Sequence, residues 1–163
     1  MNDDTSSMRY AAFDPDEHPE LYDGVLSKRV VAFFIDAIVV FALMIPAALV
    51  VFIVGFITLG IGWVLYGALF AIVALTYIGL TLGGPKAATI GMQLTATEMR
   101  TWNGGRPFPL LAIMHALIFW FSIGLLTPLI LLLGLFTRRR QLLHDVLLGT
   151  LVLNAGPLDT LET

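Results

Sequence analysis

The chain has 163 residues, 58% of them hydrophobic and only 13% charged, with a net charge of −3 and no cysteine. Soluble domains carry about 25% charged residues, so this composition reads as a polytopic membrane protein. The lack of cysteine excludes disulfides, thiolate chemistry and cysteine-ligated metals.

Charge is unevenly spread. Residues 1–27 hold Asp3, Asp4, Asp14, Asp16, Glu17, Glu20 and Asp23 against Arg9 alone, a net of −6 that leaves +3 on the remainder. Residues 1–19 read as an acidic, disordered leader without the apolar core of a cleavable signal peptide. Leu21, Tyr22, Val25 and Leu26 then recur at helical spacing, which predicts a short helix in the headgroup layer, a depth that suits Tyr22.

The apolar run from Val30 to Leu82 suffices for two crossings at ~20 residues each. Thr58, Gly60 and Gly62 mark the break, so the spans fall at about 29–57 and 63–82. Pro46 removes a helical hydrogen bond inside the first and predicts a kink. Asp36 is the lone ionisable acid or base of this run. A charge at membrane depth costs from ~3 to more than 10 kcal/mol unless paired, hydrated or neutralised, which makes Asp36 the leading candidate for a role. On the second span Gly67, Ala71, Gly79 and Gly83 share a face, as a dimer seam or, preferred, for packing within the chain.

Between residues 83 and 109, Met92, Leu94 and Ala96 alternate with Gln93, Thr95 and Thr97. The alternation predicts a strand, and Asn103, Gly104 and Gly105 a turn, hence a small β-hairpin on the membrane surface. Lys86, Arg100 and Arg106 make this loop basic whereas the connection near Gly60 is uncharged, so Lys28, Arg29 and the loop fall on the cytoplasmic side.

The third apolar stretch, 108–137, would be ~45 Å long as one helix against a ~30 Å hydrocarbon core. Gly124 and Pro128 lie near its middle and Arg138, Arg139 and Arg140 follow it. It is either a short, re-entrant or tilted hairpin, preferred because it keeps Arg138 to Arg140 on the cytoplasmic side and so puts both termini there, or one long kinked crossing. The expected fold is thus an all-α integral membrane protein: two transmembrane helices, a cytoplasmic hairpin-like loop, the third stretch, and a short amphipathic carboxy-terminal segment. The membrane domain covers 20–153 and the tail 154–163.

His18, His115 and His144 lie far apart and show no ligand spacing, so each is expected to be exposed or hydrogen-bonded, with no metal and no cofactor. No nucleophile with a base and no phosphate loop appears, because Gly83, Gly84, Pro85 and Lys86 do not form one. The chain is therefore not expected to be an enzyme. Arg138 to Arg140 abut an apolar span and read as a topology anchor for anionic lipid, not a nucleic-acid site.

Arg140, Gln141, Leu142, Leu143, His144, Asp145, Gly149 and Thr150 resemble the carboxy-terminal signature of the RDD family of small bacterial membrane proteins. Arg29 and Asp36 resemble its first two named residues and Asp145 its third, over roughly 25–153. The family's Thr-Pro-Gly-Lys-like turn is matched in part by Thr89, Ile90, Gly91 and Met92, without the lysine. The resemblance implies a multi-pass protein of the bacterial inner membrane, with transport of ions or small ligands and, for some members, sodium/proton exchange.

Arg29 and Asp36 are seven residues apart, on nearly one helix face and ~10.5 Å apart along the axis. Arg29 is expected to snorkel to the phosphates. If the last segment folds back, His144, Asp145 and an arginine such as Arg140 would close a polar cluster around Asp36, with Thr89 and Gly91 as supporting candidates. Asp36 then either exchanges a monovalent cation or proton in an oligomeric transporter, or serves as a structural tie in a scaffold or assembly factor that binds other membrane proteins.

Overall fold

The computed structural model describes residues 13–126, 137 and 139–162. The first apolar stretch forms one uninterrupted helix, α1 (Val25–Ile57), which continues through Pro46. Its most apolar 18-residue window has a mean hydropathy of 3.1, yet only 11% of that window is buried within the chain. A helix apolar on all sides and covered on so few is shaped for lipid.

Leu59 and Gly60, both at positive φ, turn the chain after α1. The Thr58 hydroxyl donates to the Val54 carbonyl (2.7 Å) and accepts from the Gly62 amide (2.7 Å), which folds a 3-10 segment, Ile61–Gly67, back on α1. The contact is close because Gly55 lies under Trp63, whose ring atoms would come within 1.8 Å of a Cβ there. α2 (Leu69–Thr81) follows at a bend of 62°. The expected second span is therefore a bent pair of short segments and not one straight helix.

Of the small-residue face, Gly79 and Gly83 pack within the chain, whereas a Cβ on Gly67 would meet nothing within 4 Å. A Cβ on Gly79 would meet Ile113 at 3.2 Å, and one on Gly83 would meet the Cα of Pro109 at 2.4 Å, so both glycines seat α4 (Pro109–Leu126) against α2. Phe70 and Trp120 extend the contact with ring centroids 5.5 Å apart. The choice between a hairpin and one crossing for 108–137 turns on residues 127–136, which lie outside the described residues.

The loop after α2 differs from the expected hairpin in two ways. Residues 90–94 form a short helix, α3 (Ile90–Leu94), not a strand: Thr89 caps it by accepting from the Met92 amide, and six alternating residues do not by themselves separate the two periods. β1 (Thr97–Thr101) is a strand, and Thr101 and Gly105 make the expected tight turn, but the partner strand is distant in sequence. It is β2 (Thr150–Asn154), antiparallel, with Thr97 opposite Asn154 and Thr101 opposite Thr150. The fold is thus mostly helical with a two-stranded sheet, not all-α.

β2 sorts its side chains by its period of two. Val152 joins Val25, Ala32, Leu82, Ala88, Met92, Met99 and Ala112 in a core between the sheet and the helices. Leu151 and Leu153 join Phe13, Leu21, Tyr22 and Leu158 on the opposite face, Leu158 belonging to α6 (Ala155–Glu162). The leader is packed from Phe13 onward, and Tyr22 is buried with its hydroxyl donating to the Phe13 carbonyl (2.7 Å) instead of lying among headgroups. The expected interfacial helix is a 3-10 turn, Pro19–Leu21.

Candidate functional site

Asp36 lies on α1 where α2 and α3 converge. Its Oδ1 accepts from the Tyr77 hydroxyl (2.6 Å) and the Gly91 amide (2.7 Å), and its Oδ2 accepts from the Thr89 hydroxyl (2.6 Å). The Ile90 amide donates in turn to the Tyr77 oxygen at 3.0 Å. Three donors drawn from the second span and its following turn replace the water that a carboxylate loses at this depth. Gly91 permits the approach: a Cβ there would stand 2.2 Å from the Ala32 carbonyl oxygen and 2.9 Å from Cγ of Asp36.

A second cluster forms nearer the amino end of α1. Arg29 Nη1 donates to Asp145 Oδ2 at 2.5 Å, with the arginine side chain 13% exposed and the aspartate fully buried. Asp145 occupies the first turn of α5 (Leu143–Leu148), where Oδ2 also accepts from the Leu142 amide (2.9 Å). Gly149, at φ 64°, ends α5 and turns the chain into β2, so that the Thr150 hydroxyl comes within 3.4 Å of Asp145 Oδ1. Nε2 of His115 and Nε2 of His144 each lie 3.7 Å from the same oxygen. The two rings meet edge to face with centroids 4.5 Å apart, and Phe119 covers His144.

Burial, the largest single influence, opposes ionisation of Asp145, but Arg29, with the two imidazoles adding to its effect, more than offsets it and holds the carboxyl down at about 2. Burial pushes His144 down to about 3, so that its imidazole is neutral at pH 7. Arg29 Nη2 faces His144 Nε2 at 3.4 Å, a contact that suits an accepting Nε2 with the proton on Nδ1, because a guanidinium only donates. That Nδ1 is buried and has no hydrogen-bond partner.

The profile of the RDD family matches residues 24–149. The chain belongs to the RDD family. No curated protein and no solved structure matches it. RDD membership and the long apolar helix together make this a membrane protein.

The structure gathers the three RDD signature residues differently from the sequence expectation. Asp145 and His144 meet Arg29, not Asp36, and Asp36 takes Thr89 and Gly91 together with Tyr77. Arg29 does not snorkel to the phosphates, because α5 delivers a buried carboxylate to it. Arg140 is exposed at φ 52° beside Tyr22 and Asp23 and takes no part in either cluster. The histidines that looked unrelated in sequence come together in the pair His115 and His144.

Two further residues escaped the sequence reading. Tyr77 carried a faint signal as the lone tyrosine of α2. His115 carried a stronger one, as the single ionisable residue in 108–137, by the argument that singled out Asp36. A third contact, from Lys28 Nζ to Asn154 Oδ1 (2.7 Å), fastens β2 to α1 while the Asn154 amide donates to the carbonyls of Glu20 and Asp23.

Proposed function

We propose that this RDD protein is a non-catalytic membrane scaffold or assembly module whose signature charges are structural ties. The observation that supports this most is the set of hydrogen bonds on Asp36: both carboxylate oxygens are engaged by Tyr77, Thr89 and Gly91, so the group joins α1 to α2 and α3 and has few lone pairs left for a passing ion. The large apolar residues Phe34, Ile38, Phe41, Ile45, Leu49, Phe52 and Phe56 recur at three- and four-residue steps along α1 and are all exposed. That stripe is the surface on which lipid, a second copy or another membrane protein would rest.

We place the protein in the bacterial inner membrane as a multi-pass chain. Phe13 packs with Leu158 and β1 pairs with β2, so the amino-terminal segment, the 83–109 loop and the carboxy-terminal helix share one side. The basic residues Lys28, Arg29, Lys86, Arg100 and Arg106 support a cytoplasmic location for that side. An arrangement with both flanks of 108–137 on one side favours a hairpin over one crossing.

A second reading, transfer of a proton or monovalent cation at Asp36, has one observation in its favour: the two hydroxyls on that carboxylate carry exchangeable protons. One experiment separates the two. Wild type and Asp36→Asn are reconstituted in liposomes with a pH-sensitive dye under a sodium or potassium gradient, and their melting temperatures are measured in parallel. The scaffold reading expects no flux above empty liposomes in either and a lower melting temperature for Asp36→Asn. Flux in the wild type that vanishes in an equally stable variant would overturn it. Single cysteines at Phe34, Ile38, Phe41 and Ile45, crosslinked in native membranes, should trap a defined neighbour through the α1 stripe.

A further inference from the structure

We propose that His115, His144 and Asp145 form a site for one divalent transition-metal ion, Zn2+ being the best match for two imidazoles and a carboxylate. The three side chains come from α4 and α5, all are buried, and their candidate ligand atoms lie within 4.8 Å of one another. The site is distinct from Asp36 and does not depend on the scaffold reading.

The spacing itself carries the argument. Each imidazole Nε2 stands 3.7 Å from Asp145 Oδ1. That is beyond a sound hydrogen bond, which ends near ~3.2 Å. It is within the ~4 Å that two metal–ligand bonds of about 2.0–2.1 Å can span, so three donor atoms converge without bonding to one another. The carboxylate is divided to suit: Oδ2 takes Arg29 and the Leu142 amide, whereas Oδ1 has only the two imidazoles and a long 3.4 Å contact from Thr150. With its proton on Nδ1, which faces the Thr150 hydroxyl at 3.5 Å, His115 aims the Nε2 lone pair at a carboxylate oxygen, an arrangement that a cation between them relieves.

Arg29 sets the affinity. Its guanidinium lies 3.4 Å from His144 Nε2, close enough for strong repulsion of a dication in a poorly hydrated site. The ion and Arg29 therefore compete for the cluster, and loading the metal loosens the tie between α1 and α5.

The test uses the full chain, purified in detergent without a histidine tag, stripped with chelator and titrated with Co2+ as a visible probe of the same geometry. Saturation at one ion per chain is expected, with displacement by Zn2+. Arg29→Gln should tighten binding at least tenfold, and His115→Gln should weaken it at least tenfold. His18→Gln, at a half-buried histidine paired with Glu20 outside the cluster, should change nothing. X-ray absorption of the zinc-loaded wild type guards against variants that fail to fold: it should show two imidazoles and an oxygen around the ion. No saturable Co2+ binding by folded protein, binding lost with His18 instead of His115, or a zinc shell without imidazole would each overturn the proposal.

Discussion

Asp145→Asn keeps the shape of the side chain and removes its charge, leaving Arg29 in a nearly dry site with no counter-ion. Removing one partner of a buried pair costs about 3–5 kcal/mol. At about 2–4 °C per kcal/mol for a chain of this size, the melting temperature should fall by roughly 6–20 °C. Arg29→Gln should cost a similar amount. The double variant leaves neither charge stranded, so its loss should fall short of the sum of the two by about 2 kcal/mol or more. The same cycle run on Asp36→Asn and Asp145→Asn should be additive within about 0.5 kcal/mol, because Asp36 bonds to Tyr77, Thr89 and Gly91 and Asp145 to Arg29. Thermal melts in one detergent, with retained helical circular dichroism as the check on folding, measure all of these. Additive losses for Arg29 and Asp145, or strong coupling between the two aspartates, would refute the division into two clusters.

Acid should weaken the fold in two overlapping steps. His144 is pushed from its usual 6.5 down to about 3, so the unfolded chain binds this proton more tightly and stability falls as pH drops from 6.5 towards 3. Asp145 moves from 3.8 to about 2, so its contribution of about 2 kcal/mol is full above pH 3.8 and is lost as pH falls through 2. A melting temperature unchanged between pH 7 and pH 4 would contradict the buried, neutral state of His144. Gly91→Ala places a methyl against the Ala32 carbonyl and should destabilise by about 1–3 kcal/mol, read as a lower melting temperature with Asp36 unaltered. For topology, a lone cysteine at Leu161 should resist an impermeant thiol reagent in intact cells and react after lysis; labelling in intact cells would place the carboxy terminus outside.

Composition and the unbroken apolar run were enough to establish a membrane protein, and the glycines at 60 and 62 were enough to place the end of α1, because both features act through local chemistry. Family membership was legible too, in the order of Arg29, Asp36 and Asp145 along the chain. Which of these residues touch was not. Arg29 and Asp36 share a helix, and a helix carries its side chains at fixed intervals whatever lies beyond it. Only the packing of α5 on α4 brought Asp145 within reach of Arg29, and only the packing of α2 and α3 on α1, with Gly91 seated against Ala32, gave Tyr77 and Thr89 to Asp36. β1 shows the same limit. Its residues favour an extended chain and the turn after it forms, yet its partner lies about fifty residues on, since strand pairing is decided by which edge the tertiary fold brings alongside. His115 and His144 meet for that reason as well: they are 29 residues apart in sequence, and the distance between their rings is set by how α4 and α5 pack.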